Sequence, residues 1–214
     1  LKAHAAEEMR PALHGVNVSD GAITATNSYR LHSVVSSAHG FGDNGRTYAP
    51  QMFASAIKAA GALGALDLEL GEKWGRIRVD STFYIGRAVD AQFPNWRSLV
   101  PKHAAPRTLT VNVAELVAVL AAFPRTGNGS VSLTRQGDTL ALHHKAGADA
   151  AISASFERVD DGEFLVAFAP DYLTDLVSYG SERVRLEGVD HLKPWLLHPD
   201  TLTGLLMPVR TEGH

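Results

Sequence analysis

The chain has 214 residues, 45% hydrophobic and 20% charged, with a formal net charge of -3. That composition is that of a folded globular protein, and its slight acidity speaks against a simple domain that grips DNA by phosphate contacts alone, though not against one that surrounds DNA. With no cysteine, disulfides, thiolate metal sites and cysteine nucleophiles are excluded; no apolar run approaches the roughly 18 residues of a membrane span, and no signal-peptide pattern is present.

In chain order, residues 2–13 read as a helix. Residues 16–25 read as a β-hairpin turning at Asp20-Gly21, because Asp-Gly favours the positive φ angles of a tight turn. Tyr48-Ala49-Pro50 precedes a helix-like run, 51–60, closed by Gly61. Proline suits a helix start and glycine a position just past its end. Residues 66–70, 76–80 and 83–90 alternate or run apolar, as strands do.

The same succession then returns. A strand at 108–111 leads to Asn112, which can cap a helix over 113–123 in a box with Glu115. Residues 131–142 form a second hairpin. Phe168-Ala169-Pro170, 120 positions after Tyr48-Ala49-Pro50, opens a helix over 171–179 that ends before Gly180. Strands follow at 183–187, 194–198 and 202–209. Each half reads helix, hairpin, strand, helix, three strands: a tandem of one α+β domain, joined near residues 101–107. The first half lacks a counterpart of the strand at 108–111. The chain opens on Leu1, so the native start is expected upstream.

Ten histidines invite a metal or acid–base reading: His4, His14, His32, His39, His103, His143, His144, His191, His198 and His214. None forms the i, i+4 helical pair around a glutamate that a zinc protease requires, and the adjacent His143 and His144 point to opposite faces of a strand. There is no Gly-x-Ser-x-Gly elbow and no phosphate-cradling glycine loop. Ordinary histidines are the simpler reading, no cofactor is expected, and a histidine-based hydrolase is the weakest hypothesis.

Three segments resist a purely structural reading. They are Ala25-Thr26-Asn27-Ser28-Tyr29-Arg30-Leu31, Gln92-Phe93-Pro94-Asn95-Trp96-Arg97-Ser98-Leu99-Val100-Pro101, and Leu205-Leu206-Met207-Pro208-Val209-Arg210. Singly they read as a strand end and turn, a rigid linker, and a terminal strand. Together they resemble the bacterial DNA polymerase III beta sliding clamp family. That family carries Ala-Thr-Asp-Gly-His-Arg-Leu, which residues 25–31 match except at Asn27, Ser28 and Tyr29. It carries Phe-Pro-Asp-Tyr-Arg before a linker ending in proline, matched here except at Asn95 and Trp96. It ends in Met-Pro-Met-Arg, matched at 207–210 except at Val209.

The resemblance implies two clamp domains, 1–103 and 104–214, equivalent to the family's second and third. It implies a non-catalytic processivity factor, cytoplasmic, in a head-to-tail ring of six domains around duplex DNA. The ring would be a dimer of a longer chain or a trimer of two-domain chains, bacterial or phage-encoded. Partners would be non-sequence-specific DNA and the peptide motifs of polymerases and clamp loaders, held in an apolar interdomain pocket. Carried over by position, the pocket takes Leu13, Thr26, Arg30, Leu31, Pro94 and Leu99 from the first domain and linker. Its other wall takes Tyr172, Leu192, Pro194, Leu205, Leu206, Met207, Pro208, Val209 and Arg210. Ala169 stands where the family usually has asparagine, and Ser98 where arginine is common. DNA would meet Lys2, Arg10, Lys58 and Arg125, whereas Glu115, Asp171 and Asp175 leave the second domain's helices acidic. DNA contact is therefore expected to be weak and salt-sensitive. The alternative is a clamp-fold regulator or decoy that binds partner peptides without encircling DNA.

Overall fold

A computed structural model describes residues 10–37, 40, 42, 45–61, 67–100, 105–124, 129–200 and 202–211. The chain forms two compact units, Leu1–Trp96 and Arg97–His214. The expected join at 103/104 falls in 101–104, outside the described residues.

Among the described residues of unit 1, Pro11–Leu13 forms a 3-10 turn where the end of the first helix is expected. Pro11 and the non-helical Arg10 before it, at φ -131° and ψ 74°, explain the difference. Strands β1 (Val16–Ser19) and β2 (Ala22–Thr26) form the expected hairpin, with Gly21 at φ 73°. Then come β3 (Arg30–Val35), β4 (Arg46–Tyr48), α1 (Pro50–Ala60), β5 (Asp67–Leu70), β6 (Trp74–Val79) and β7 (Thr82–Val89). Their order across the sheet is β3-β2-β1-β4-β7-β6-β5, every pair antiparallel. Two strands, not one, separate hairpin from helix; β4 has only three residues, too few for a visible period.

Helix α1 buries Pro50 at its start, and Met52 and Ala56 at the i, i+4 spacing of one helical face. Met52 and Ala56 join Val18, Tyr48, Ile77 and Val79 in the core of unit 1. Burial pushes the Tyr48 phenol up, partly offset by Arg46, and its hydroxyl donates to the Gly71 carbonyl at 2.8 Å.

Unit 2 holds β8 (Arg107–Asn112), α2 (Val113–Ala122), β9 (Val131–Gln136), β10 (Thr139–His144), β11 (Ala148–Glu157), β12 (Phe164–Phe168), α3 (Pro170–Val177), β13 (Arg183–Gly188), β14 (Trp195–His198) and β15 (Leu202–Leu206). The order is β12-β9-β10-β11-β8-β13-β14-β15, again antiparallel throughout. Asn112 Oδ1 accepts from the Glu115 N–H at 3.0 Å, capping α2 as expected. Helices α2 and α3 pack on each other, α2 also on β8 and β11, α3 also on β15. The core is Leu109, Leu116, Leu133, Leu140, Leu165, Phe168, Leu173, Leu176 and Trp195, all fully buried. Each such leucine contributes about 1.5–3 kcal/mol by leaving water.

Both units are thus α+β, but with three α-helices among the described residues: two in unit 2 and one in unit 1. None is long and apolar enough to cross a membrane.

Candidate functional site

In unit 2 the register of the sheet assembles the third motif. Leu206 pairs with Trp195 and Leu205 with Leu196, so Pro194, preceding β14, runs beside Met207, following β15. Leu205 and Leu206 are buried, while Met207 is 36% exposed and Arg210 exposed. The tail 207–210 is tethered, since the Val209 N–H donates to the Ala167 carbonyl of β12 at 2.8 Å. Three residues on from Ala169, the N-cap of α3, stands the half-buried Tyr172. Ala169 makes no side-chain cap, so the alanine in place of the family's asparagine leaves the first turn without a side-chain acceptor. Pro208 and Val209 are half-buried, and Leu192 is 54% exposed in the loop before Pro194.

That loop is built, not slack. Asp190 Oδ1 accepts from the N–H groups of Leu192 at 2.8 Å and Lys193 at 2.9 Å. The Leu192 N–H, then Lys193 with its N–H and ammonium, then His191, hold the Asp190 carboxyl below its ordinary value, against a desolvation that raises it. A depressed carboxyl stabilises the folded state above its unfolded value of 3.8 and loses that effect as pH falls through the folded value. The loop is therefore fully braced at neutral pH.

In unit 1 the first motif forms the β2–β3 turn. Thr26 Oγ1 donates to the Arg30 carbonyl at 2.7 Å and accepts from Ser28 N–H at 3.2 Å. Asn27 Oδ1 accepts from the N–H groups of Tyr29 at 3.1 Å and Arg30 at 3.0 Å, and Ser28 takes φ 75°. Asparagine at the family's aspartate position thus keeps the acceptor the turn uses. Arg10 Nη1 donates to Ser28 Oγ at 2.7 Å, which ties the turn to the segment bearing Leu13. Leu13 packs with Phe93 and Trp96. Thr26 and Leu31 are buried, Arg30 half-buried, Pro94 exposed. Leu99, 54% exposed, lies in the 3-10 turn Trp96–Leu99 and belongs to unit 2.

Of the DNA candidates, Lys2 and Arg125 lie outside the described residues. Lys58 is exposed in the last turn of α1, and Arg10 is exposed but engaged by Ser28. Helices α2 and α3 contain no lysine or arginine; Glu115 and Asp171 are exposed on them and Asp175 half-buried. His143 is exposed against Asp149 at 2.5 Å, and His144 is buried beside Phe123. Among the described residues, no three His, Asp or Glu side chains converge as a metal site.

Three residues that sequence reasoning did not single out complete this geometry: Asp190, Trp195 and Gly188. Trp195 Nε1 donates to the Asp190 carbonyl at 2.9 Å, and a Cβ at Gly188 would fall 2.2 Å from the indole. The one signal in the sequence is Asp190 two positions before a leucine outside any strand, the spacing of an Asx turn.

No protein-family model matches the chain, and no curated protein sequence matches it. Solved structures do. The DNA polymerase sliding clamp of Bacillus subtilis superposes with TM-score 0.80 at 22% identity, over 98% of this chain and 60% of that one. The sliding clamp of Bartonella birtlesii bound to griselimycin gives 0.82 at 23%, over 98% and 61%. The DNA polymerase III beta subunit of Pseudomonas aeruginosa gives 0.81 at 17%, over 98% and 61%. The chain therefore spans about three-fifths of the length of these proteins. At such identities the likeness is one of architecture: this chain has the fold of the bacterial DNA polymerase III beta sliding clamps.

Proposed function

We propose that the protein is a sliding clamp, a non-catalytic processivity factor that encircles duplex DNA and docks short peptides of polymerase and clamp loader. The observation that carries the reading is the tethered tail 207–210 beside the braced Leu192 loop, on a clamp fold. A peptide site needs apolar walls with a few fixed polar groups. Leu192, Met207, Pro208 and Val209 supply the walls in unit 2, with Arg210 as the charged group. From the family resemblance, the proposal also takes Leu13, Thr26, Arg30, Leu31 and Pro94 of unit 1, and Leu99, as docking residues. Domains equivalent to the family's second and third, cytoplasmic action and head-to-tail assembly belong to this reading.

Griselimycin, which the Bartonella birtlesii clamp binds, tests docking directly. Calorimetric titration of the full chain is expected to show saturable binding, and no heat at any concentration would sink the docking function. A solution mass that is a multiple of the chain mass is expected for the ring; a monomer at micromolar concentration would overturn ring formation for this chain.

DNA contact is phosphate contact without base reading. With no cation on α2 or α3, Lys58 carries an unusual share of it. Lys58→Gln is expected to weaken duplex binding a few-fold at low salt. The slope of log affinity against log salt should shrink by about 1. An unchanged slope would remove Lys58 from the DNA surface.

A further inference from the structure

We infer that Asp190 is a positioning residue for peptide docking: its carboxylate folds the loop so that Leu192 stands out as a rigid apolar contact. The inference rests on the docking function proposed above. A single exposed leucine is ordinary on a protein surface, so the argument lies in what stands beneath this one. Asp190 Oδ1 takes the Leu192 and Lys193 N–H groups at 2.8 and 2.9 Å. The Asp190 carbonyl takes the indole N–H of Trp195 at 2.9 Å, and Trp195 is fully buried.

One residue earlier, the Val189 carbonyl accepts from Arg107 Nη1 at 2.8 Å, and Arg107 Nε is held by Glu163 at 2.6 Å. Gly188 closes the loop against the indole, where a Cβ would come within 2.2 Å. Every residue from 188 to 190 is thus fixed to the body of unit 2, and the carboxylate extends that order to Leu192. Ordering a loop on binding subtracts from affinity, and a loop ordered beforehand does not incur that loss. Leu192 has no other backbone donor or acceptor partner to hold it, among the described residues. The carboxylate is the feature that makes it rigid.

The test is a double-mutant cycle read by griselimycin calorimetry on the full chain, with melting temperature recorded for each variant. Asp190→Ala is expected to bind about five- to tenfold more weakly. Asp190→Asn keeps an acceptor oxygen in place and should stay within about twofold. Asp190→Glu keeps the charge but is too long for the turn, and should behave like alanine. In the Leu192→Ala background, Asp190→Ala should have almost no further effect, because its contribution passes through the missing leucine. A loss equal in both backgrounds would make Asp190 a general stabiliser and overturn the proposal, as would an unchanged affinity of Asp190→Ala. Amide exchange at Leu192 and Lys193 gives a reading independent of docking, and should accelerate in Asp190→Ala but not in Asp190→Asn. If the wild-type chain bound no griselimycin while the exchange pattern held, the docking function would fail and the turn would stand. If the exchange pattern failed, the positioning role would fall whatever griselimycin did.

Discussion

Trp195→Ala is expected to lower the unfolding free energy of unit 2 by about 3–5 kcal/mol, the range for truncating a buried tryptophan. Trp195 is fully buried, and its ring meets Phe168 edge-on, centroids 6.1 Å apart and planes at 85°. Gly188 lies against its other side, and its register partner is Leu206. Truncation opens a cavity beside β12, β13 and β15; β13 and β15 are hydrogen-bonded to β14 itself and β12 to β9, so the backbone is held in the sheet and cannot collapse inward. It also leaves the Asp190 carbonyl without its indole donor. Gly188→Ala probes the same contact from outside and should cost about 1–3 kcal/mol, because a fully buried ring is not the free end of a flexible chain. Urea unfolding followed by circular dichroism measures both. A loss below about 1.5 kcal/mol for Trp195→Ala would show that the strands do close over the gap.

The elements that sequence reading anticipated are those whose local chemistry and tertiary role agree. Asp20-Gly21 and Gly137-Asp138 turn hairpins, with Gly21 at φ 73° and Gly137 at φ 57°. Pro50 opens α1 and Gly61, at φ 66°, closes it. The strands that escaped notice carry no such signal. In β11, ten residues long, side chains alternate in exposure, but most are alanine or serine, too small to write a hydrophobic period. The end of α3 shows a different limit: Gly180 invites a longer helix, yet Val177 is the last helical residue and the Gly180 N–H returns to the Val177 carbonyl.

For the site, resemblance named candidate contact residues, whereas the residues that hold them in place were hidden. Thr26 and Asn27 advertise a turn by their type, and the structure uses both. Trp195 and Gly188 meet across the β13–β14 connection, a contact that no window along the chain displays. Apart from its Asx-turn spacing, Asp190 reads as one more acidic residue, because its role lies in two backbone N–H groups and not in a charged partner at close range: Lys193 Nζ is 3.9 Å away.

The sharpest separation of binding from folding is expected at two adjacent residues, Leu206 and Met207. Leu206 is fully buried opposite Trp195. Met207 is the first residue beyond β15 and 36% exposed, on the tail that Val209 ties to β12. Met207→Asp places a carboxylate where water can still reach it in the free protein, so unfolding free energy should change by no more than about 0.5 kcal/mol. A docked apolar ligand would bury that charge without a partner, a cost of about 2–5 kcal/mol. Griselimycin affinity should therefore fall by roughly thirtyfold or more. Leu206→Asp reverses the pattern: the carboxylate is buried in the free protein too, unit 2 loses its cooperative transition, and binding disappears with the fold. Calorimetry and urea unfolding on the two variants read the contrast. If Met207→Asp bound griselimycin as tightly as the parent, the tail would not be the docking surface, and the fold would be all that this chain shares with the clamps.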